Sequence, residues 1–499
     1  MKQLNIFSGS LFLAVLGLMC CNNDSVDNSG SEPGGPSAPV SSDVELYVTT
    51  GHKSMLFKQL PLDYCENDPM SPYEIRLQPE ERYQEIAGFG PAITGSTGYN
   101  LQKMSAADRE KILRECFDPE EGLGFSMVRI SIGGSDFTLG EYTWCDQEGI
   151  DFFDVHPYDR RDVFPVLKEI LAINPAVKII GTPWSCPRWM KVGLDGVSAY
   201  NGWTSGRLNP ACYEDYAEYF VMWIETMEAE GFPIYAITVQ NEPLNKGNSM
   251  SLYMPWEDQA AFIKVLGPKM QARGLKTKLL CYDHNYNYDN VSGQENYVGK
   301  LYGDEEASQY IAGSAWHNYG GNVSELDNIS TLFPQKEIYF TEASIGSWGY
   351  SFSGNTLGEF ESIFLGTMMR GGRGVTLWNF MLDENGAPNR PGGCQTCFGV
   401  VDISSKDYSY ASIERNSQYY DLAHCSKVIK PGAVRIATNG TEITDVKYMA
   451  FENPDGSYAF VAVNRGSDSR KLTVNDGSRH FSYDIPGNAI ASFRWGKNE

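Results

Sequence analysis

From about residue 85 the chain alternates short apolar, β-branched runs with longer amphipathic stretches, a pattern that predicts repeated βα units around a parallel sheet. Eight strands can be placed, at 86–94, 126–133, 177–184, 234–241, 277–284, 313–319, 337–343 and 374–382. Between them lie segments with apolar residues at helical spacing, of which 213–230 and 259–273 are the clearest. Eight strands alternating with helices specify a (β/α)8 TIM barrel, an α/β fold.

The pattern changes near residue 430. A final helix over 413–429 stops at Lys430-Pro431-Gly432, and short strands follow at 444–452, 458–464, 470–474 and 489–494, with Asp455-Gly456 as a hairpin turn. Some seventy residues are too few for a robust sandwich. The segment 43–83, with strand-like runs at 44–50 and 73–77, is expected to complete it. The expected plan is therefore a barrel over 84–430 and an appended β-sandwich built from 431–499 together with 43–83.

The first residues read as an export signal. Lys2 precedes an apolar stretch at 11–19 and a Cys20-Cys21 pair, too short to span a bilayer stably. The cysteine at the cleavage point resembles a bacterial lipoprotein signal over residues 1–20, with Cys21 (or Cys20) as the lipidated residue. Residues 21–42, rich in Asn, Asp, Ser, Gly and Pro, read as a flexible tether. The expected location is outside the cytoplasm, on a lipid anchor in the bacterial outer membrane, at the cell surface or otherwise in the periplasm.

Over 499 residues the formal net charge is −23, which makes nucleic acid an unsuitable partner, since a phosphate backbone would be repelled over most of the surface. A neutral polysaccharide is compatible, and an aromatic share of 13% fits stacking on sugar faces as well as it fits an aromatic core. Of 11 cysteines, Cys394 and Cys397 form a lone CxxC in a Gly/Pro-rich loop. With no second CxxC for a zinc site and no redox context before it, the motif reads as a local disulfide or two free thiols.

The chemistry concentrates at two strand ends. Glu242, in Val239-Gln240-Asn241-Glu242-Pro243, closes the fourth strand, and Glu342, in Tyr339-Phe340-Thr341-Glu342-Ala343-Ser344, closes the seventh. Barrel enzymes place their working residues at these C-terminal ends. Hydrolysis of a glycosidic bond needs one protonated carboxyl to supply the leaving oxygen and one carboxylate to support the cationic anomeric carbon, and the chain supplies such a pair. His284 and His317 end the fifth and sixth strands; a metal is not expected there, because they lie far apart in sequence and a retaining glycosidase requires none.

Seven motifs, in order, resemble glycoside hydrolase family 30, the group of lysosomal glucosylceramidase and microbial β-1,6-glucanases. They are Gln84-Glu85-Ile86-Ala87-Gly88-Phe89-Gly90, Arg129-Ile130-Ser131-Ile132-Gly133-Gly134-Ser135-Asp136-Phe137, Pro183-Trp184-Ser185, Asn241-Glu242-Pro243, Trp316-His317-Asn318-Tyr319, Thr341-Glu342-Ala343-Ser344 and Trp378-Asn379. The resemblance implies Glu242 as acid/base and Glu342 as nucleophile, with no cofactor. It implies that Asn241 bonds the 2-hydroxyl of the sugar being cut, that Asp136 and Trp184 grip its outer hydroxyls, and that Trp378 forms an aromatic wall. Arg129 and Tyr319 are expected beside Glu342. The activity it implies is a retaining endo-β-1,6-glucanase acting on β-glucan. The alternatives are a β-glucosidase or glucosylceramidase acting on terminal glucose and, from another class, a surface glycan-binding lipoprotein.

Overall fold

The computed structural model describes residues 42–65, 74–286, 291–440 and 442–497. The export signal, both candidate anchor cysteines and all but the end of the tether lie outside the described residues. No helix among the described residues is long and apolar enough to cross a membrane.

Eight parallel strands form the barrel: Gly88–Pro91, Met127–Ser131, Lys178–Thr182, Ile234–Thr238, Lys278–Asn285, Gly313–His317, Glu337–Glu342 and Gly372–Leu377. Each pairs with its neighbours in chain order, and the eighth pairs with the first. First and second strands meet through one parallel bridge, Ala92 opposite Arg129, where the Ile93 amide donates to the Arg129 carbonyl at 2.8 Å. All eight anticipated strands are present.

A period of two along these strands sets the interior in layers. Ala87, Met127, Ile180, Ala236, Leu280, Ala315 and Tyr339 form a separate apolar cluster. Two residues further on, at the level above this plug, come Arg129, Thr182, Thr238, His317 and Thr341, all buried. The fifth strand carries an irregularity between Tyr282 and His284, with left-handed φ at Tyr282 (73°) and Asp283 (63°). That bulge shifts the alternation by one and brings Asp283, three residues after Leu280, into the polar layer.

The second unit of structure is a nine-stranded sheet with its own core, including Val44, Leu46, Val48, Ile75, Phe460, Phe481, Phe493 and Trp495. Glu45–Thr50 pairs with Ala489–Trp495 along its whole length, and Glu74–Glu85 lies between Val434–Gly440 and Arg470–Asn475. Three features differ from expectation. The strand expected at 73–77 runs on to Glu85, through the polar run Gln78-Pro79-Glu80-Glu81-Arg82, which shows no alternation because most of it is solvent-exposed. The strands Lys58–Leu60, Val434–Gly440 and His480–Ile485 were not anticipated, being only partly buried with mixed polarity. The final barrel helix is Ser417–Ser426, because Glu414–Arg415 pairs instead with Val401–Asp402.

This helix fastens the two parts together. Its His424 is fully buried, with Nδ1 2.7 Å from Ser492 Oγ and Nε2 2.8 Å from Thr49 Oγ1, so both ring nitrogens reach hydroxyls of the sheet. Burial lowers the imidazole to about 3, which keeps it neutral.

Candidate active site

Asp283 is the hub of the polar layer. It is fully buried and accepts from Arg129 Nη2 at 2.9 Å, Thr238 Oγ1 at 2.7 Å and Thr341 Oγ1 at 2.6 Å, with His317 Nε2 at 3.0 Å. Burial alone would raise its carboxyl, but the Arg129 charge and these donors hold it far below the carboxylate range. Asp283 in turn fixes Arg129, whose Nε donates to Thr182 Oγ1 at 3.2 Å and whose Nη2 also donates to Asn241 Oδ1 at 2.8 Å.

Above this layer stand the two glutamates. Glu342 Oε2 accepts from Arg129 Nη1 at 2.5 Å, and Oε1 accepts from the Tyr319 hydroxyl at 3.0 Å. Tyr319 Oη is also 2.9 Å from Ser344 Oγ. Burial and the charge of Glu242 raise the Glu342 carboxyl, while the charges of His317 and Arg129 oppose them. The short ion pair aims one carboxylate oxygen and the phenol aims the other.

Glu242 is held differently. Its backbone is left-handed, with φ of 43°, in a region non-glycine residues seldom occupy, and its amide donates to the Asp283 carbonyl at 2.9 Å. Oε2 accepts from Asn245 Nδ2 at 2.7 Å, and Oε1 is 3.3 Å from His317 Nδ1. Against burial, Glu342 and Asp283 raise His317 to about 9, and the His317 cation then lowers Glu242 to about 2. His317 Nδ1 and Glu242 Oε1, 3.3 Å apart, are within reach of a shared proton.

The wall beside these groups is aromatic. Trp184 and Trp378 stack with centroids 4.8 Å apart at 25°, Phe137 meets Trp378 edge-on, and Arg129 lies 4.9 Å from the Trp184 ring centroid. Asp136 closes the end of this cluster. It is buried, its Oδ1 has no hydrogen-bond partner among the described residues, and burial followed by the Glu342 charge raises its carboxyl to about 8. A buried acceptor left without a partner is what a ligand hydroxyl would satisfy.

The CxxC loop covers this end. Cys394 and Cys397 form a disulfide, one of the two states left open by the sequence. The Cys394 backbone opposes the burial of Asp136 by lowering its carboxyl, and Gly393 packs so tightly that a Cβ there would lie 2.4 Å from Asp136 Cβ. Arg390 pairs with Glu141 at 2.7 Å, and Cys397-Phe398 pairs with Ile345-Gly346, three residues past Glu342.

The structure thus brings Arg129, Asn241, Tyr319, Glu242 and Glu342 into one hydrogen-bonded set and places Asp136, Trp184 and Trp378 beside it. It also corrects the expectation about the histidines: sequence separation does not keep them apart, since Glu242, His284 and His317 each present a ligand atom within 4.8 Å of the others. Sequence reasoning missed the hub Asp283 and its threonines; an inward polar residue two positions past an apolar one, repeated on several strands, was the available signal.

A parallel eight-stranded barrel with two glutamates at the ends of strands four and seven, an arginine and a tyrosine on one of them, and a tryptophan-lined wall defines a barrel glycoside hydrolase. Residues 86–429 match the glycosyl hydrolase family 30 TIM-barrel domain, and residues 432–493 match the family 30 beta sandwich domain. The chain belongs to glycoside hydrolase family 30. It is similar to a solved endo-β1,6-glucanase at 52% identity and a TM-score of 0.88, covering 92% of this chain and 100% of that one. It is 30% identical to an endo-1,6-β-D-glucanase of Trichoderma harzianum over 82% of this chain and 84% of the relative. It is 28% identical to the lysosomal acid glucosylceramidase of Mus musculus over 84% and 83%.

Proposed function

We propose that this protein is an endo-acting, retaining glycosidase that cuts β-1,6-linked glucan. The reading is carried by the pair Glu242 and Glu342, which stand together at the strand ends with opposite surroundings, one against imidazoles and amides, the other against a guanidinium and a phenol. The endo-β-1,6-glucanases among its relatives support the linkage. Trp348, 58% exposed on the loop after Glu342, supports action on a polymer, because it offers a stacking face for a further sugar unit.

In this reading Glu342 is the nucleophile. Its oxygen attacks the anomeric carbon while the leaving oxygen takes a proton through Glu242, drawn from the proton shared with His317. Glu242 then accepts a proton from water, whose oxygen displaces Glu342 and restores the starting configuration. Asn241, fixed by Arg129, bonds the 2-hydroxyl; Asp136 takes outer hydroxyls of the same sugar; Trp184 and Trp378 form the wall. Arg129 and Tyr319 position the nucleophile.

The decisive test is incubation with pustulan-type β-1,6-glucan, laminarin, xylan and an aryl β-glucoside, with product sizes read by chromatography. Oligosaccharides from the β-1,6-glucan alone are expected. Release of glucose only, from every active substrate, overturns the endo reading in favour of an exo-glucosidase. Export and lipid anchoring at Cys21 (or Cys20) are proposed on the N-terminal pattern, and metabolic labelling with a fatty acid, lost on Cys21→Ser with Cys20→Ser, tests them.

A further inference from the structure

The fold places two imidazoles and one carboxylate around a single point at the strand ends. His317 Nδ1 is 3.3 Å and His284 Nδ1 3.9 Å from Glu242 Oε1, and one ligand atom from each of the three lies within 4.8 Å of the rest. A tetrahedral zinc ion bound at about 2.0–2.1 Å separates its ligand atoms by about 3.4 Å. Two of the three edges are already within about half an ångström of that value, and a displacement of the His284 ring of about an ångström closes the third.

The surroundings of the three groups point the same way. His317 turns its other nitrogen to Asp283 Oδ1 at 3.0 Å, and Asp283 is itself held by Thr341, Thr238 and Arg129. A carboxylate behind a ligating histidine is the arrangement that orients metal-bound imidazoles. The local charge also favours a dication: Glu242, Glu342 and Asp283 are acidic, and Arg129 is the permanent cation paired with the last two. Glu342 is not a competing ligand, since both its oxygens are engaged by Arg129 and Tyr319. Two nitrogens and one carboxylate oxygen suit a borderline ion such as Zn2+ or Co2+ and not Mg2+ or Ca2+, which take oxygen ligands.

We infer that Glu242, His284 and His317 form a binding site for a borderline divalent metal ion, and that an ion there blocks turnover reversibly by occupying the oxygen through which the proton is delivered. The inhibitory half rests on the proposed role of Glu242; the binding half does not.

The test uses the full chain after treatment with a chelator. Titration with Co2+ is followed by visible absorption and Zn2+ uptake by equilibrium dialysis, with hydrolysis measured in parallel. One Co2+ per chain is expected, with the intense bands of a four- or five-coordinate ion, displaced by Zn2+, accompanied by loss of hydrolysis and reversed by chelator; Mg2+ does none of this. His284→Ala, with its melting curve as the check on folding, lowers metal affinity at least about tenfold. His52→Ala and His480→Ala leave it unchanged. If His284→Ala melts lower, His284→Asn replaces it. Absence of the Co2+ bands, or bands that titrate with unchanged affinity in the His284 variant, overturns the site. The Glu342→Gln protein, inactive in the proposed mechanism, still binds one Co2+. Metal bound with hydrolysis intact overturns the inhibitory half together with Glu242 as donor and leaves the binding site standing.

Discussion

Arg129 donates to Glu342 across 2.5 Å from inside the barrel, in an ion pair that water barely reaches. The same guanidinium binds Asp283 and Asn241, so one planar cation sets the orientation of the carboxylate, the hub beneath it and the amide beside it. A lysine keeps the charge but presents no fork. Arg129→Lys is therefore expected to lower kcat about a hundredfold and to cost about 3 kcal/mol of stability, since Asp283 and Asn241 lose their donor in a dry site. Steady-state kinetics and chemical unfolding check this; an unchanged kcat would show that Arg129 serves packing alone.

The two glutamates separate in their response to added nucleophile. Glu242→Ala and Glu342→Ala are each expected to lose at least two to four orders of magnitude in turnover on a polymer. On an aryl glucoside with an acidic leaving group, Glu242→Ala keeps its first step, because little protonation is needed, and azide restores turnover with a β-glycosyl azide as product. Azide on Glu342→Ala gives the α-azide, as direct displacement inverts the centre. Product configuration by proton NMR decides the assignment, and the reverse pairing of variants and products would exchange the two roles.

The barrel was legible in the sequence because its strands are buried on both faces and read as apolar runs of the right spacing. Glu242 and Glu342 were legible because a carboxylate at the end of such a run stands out. Asp283 did not stand out, since its inward position depends on the bulge after Tyr282, and a one-residue shift in a strand leaves no mark in composition. His284 and His317 were visible as residues but not as neighbours, because closure of adjacent strands, rather than sequence distance, brings them to Glu242. The sandwich was partly legible: Glu74–Glu85 is polar over half its length, and its pairing with Val434–Gly440 is decided by partners far away in the sequence.

Asp136 depends on the loop that covers it. The Cys394–Cys397 bridge closes the loop in which Gly393 packs so close to Asp136 that a side chain there would collide with it. Replacing both cysteines by serine is expected to raise KM severalfold with a smaller change in kcat, because the loop orders a group that binds a non-reacting part of the sugar. Asp136→Ala should raise KM further, and the two changes together should fall short of additivity, since they act through one contact. Full additivity in a double-mutant cycle would place the loop's effect elsewhere.

Asp421 offers a test of stability far from the chemistry. It is fully buried on the helix Ser417–Ser426, neither carboxyl oxygen has a hydrogen-bond partner among the described residues, and burial followed by the Glu359 charge pushes its carboxyl well above the usual range. In the unfolded chain the same group titrates near about 3.9. Below that pH both states hold the proton and its contribution is fully present. Above it the unfolded chain releases the proton while the folded protein retains it, so stability falls as pH rises, by about 1.4 kcal/mol per unit, until the folded group ionises. Asp421→Asn has the shape of the protonated acid and does not titrate. Its melting temperature relative to the wild type is therefore expected to climb between pH 4 and pH 8. A wild-type advantage that grows over the same range would mean that Asp421 is ionised and stabilised in the folded protein, the opposite sign from the one its burial dictates.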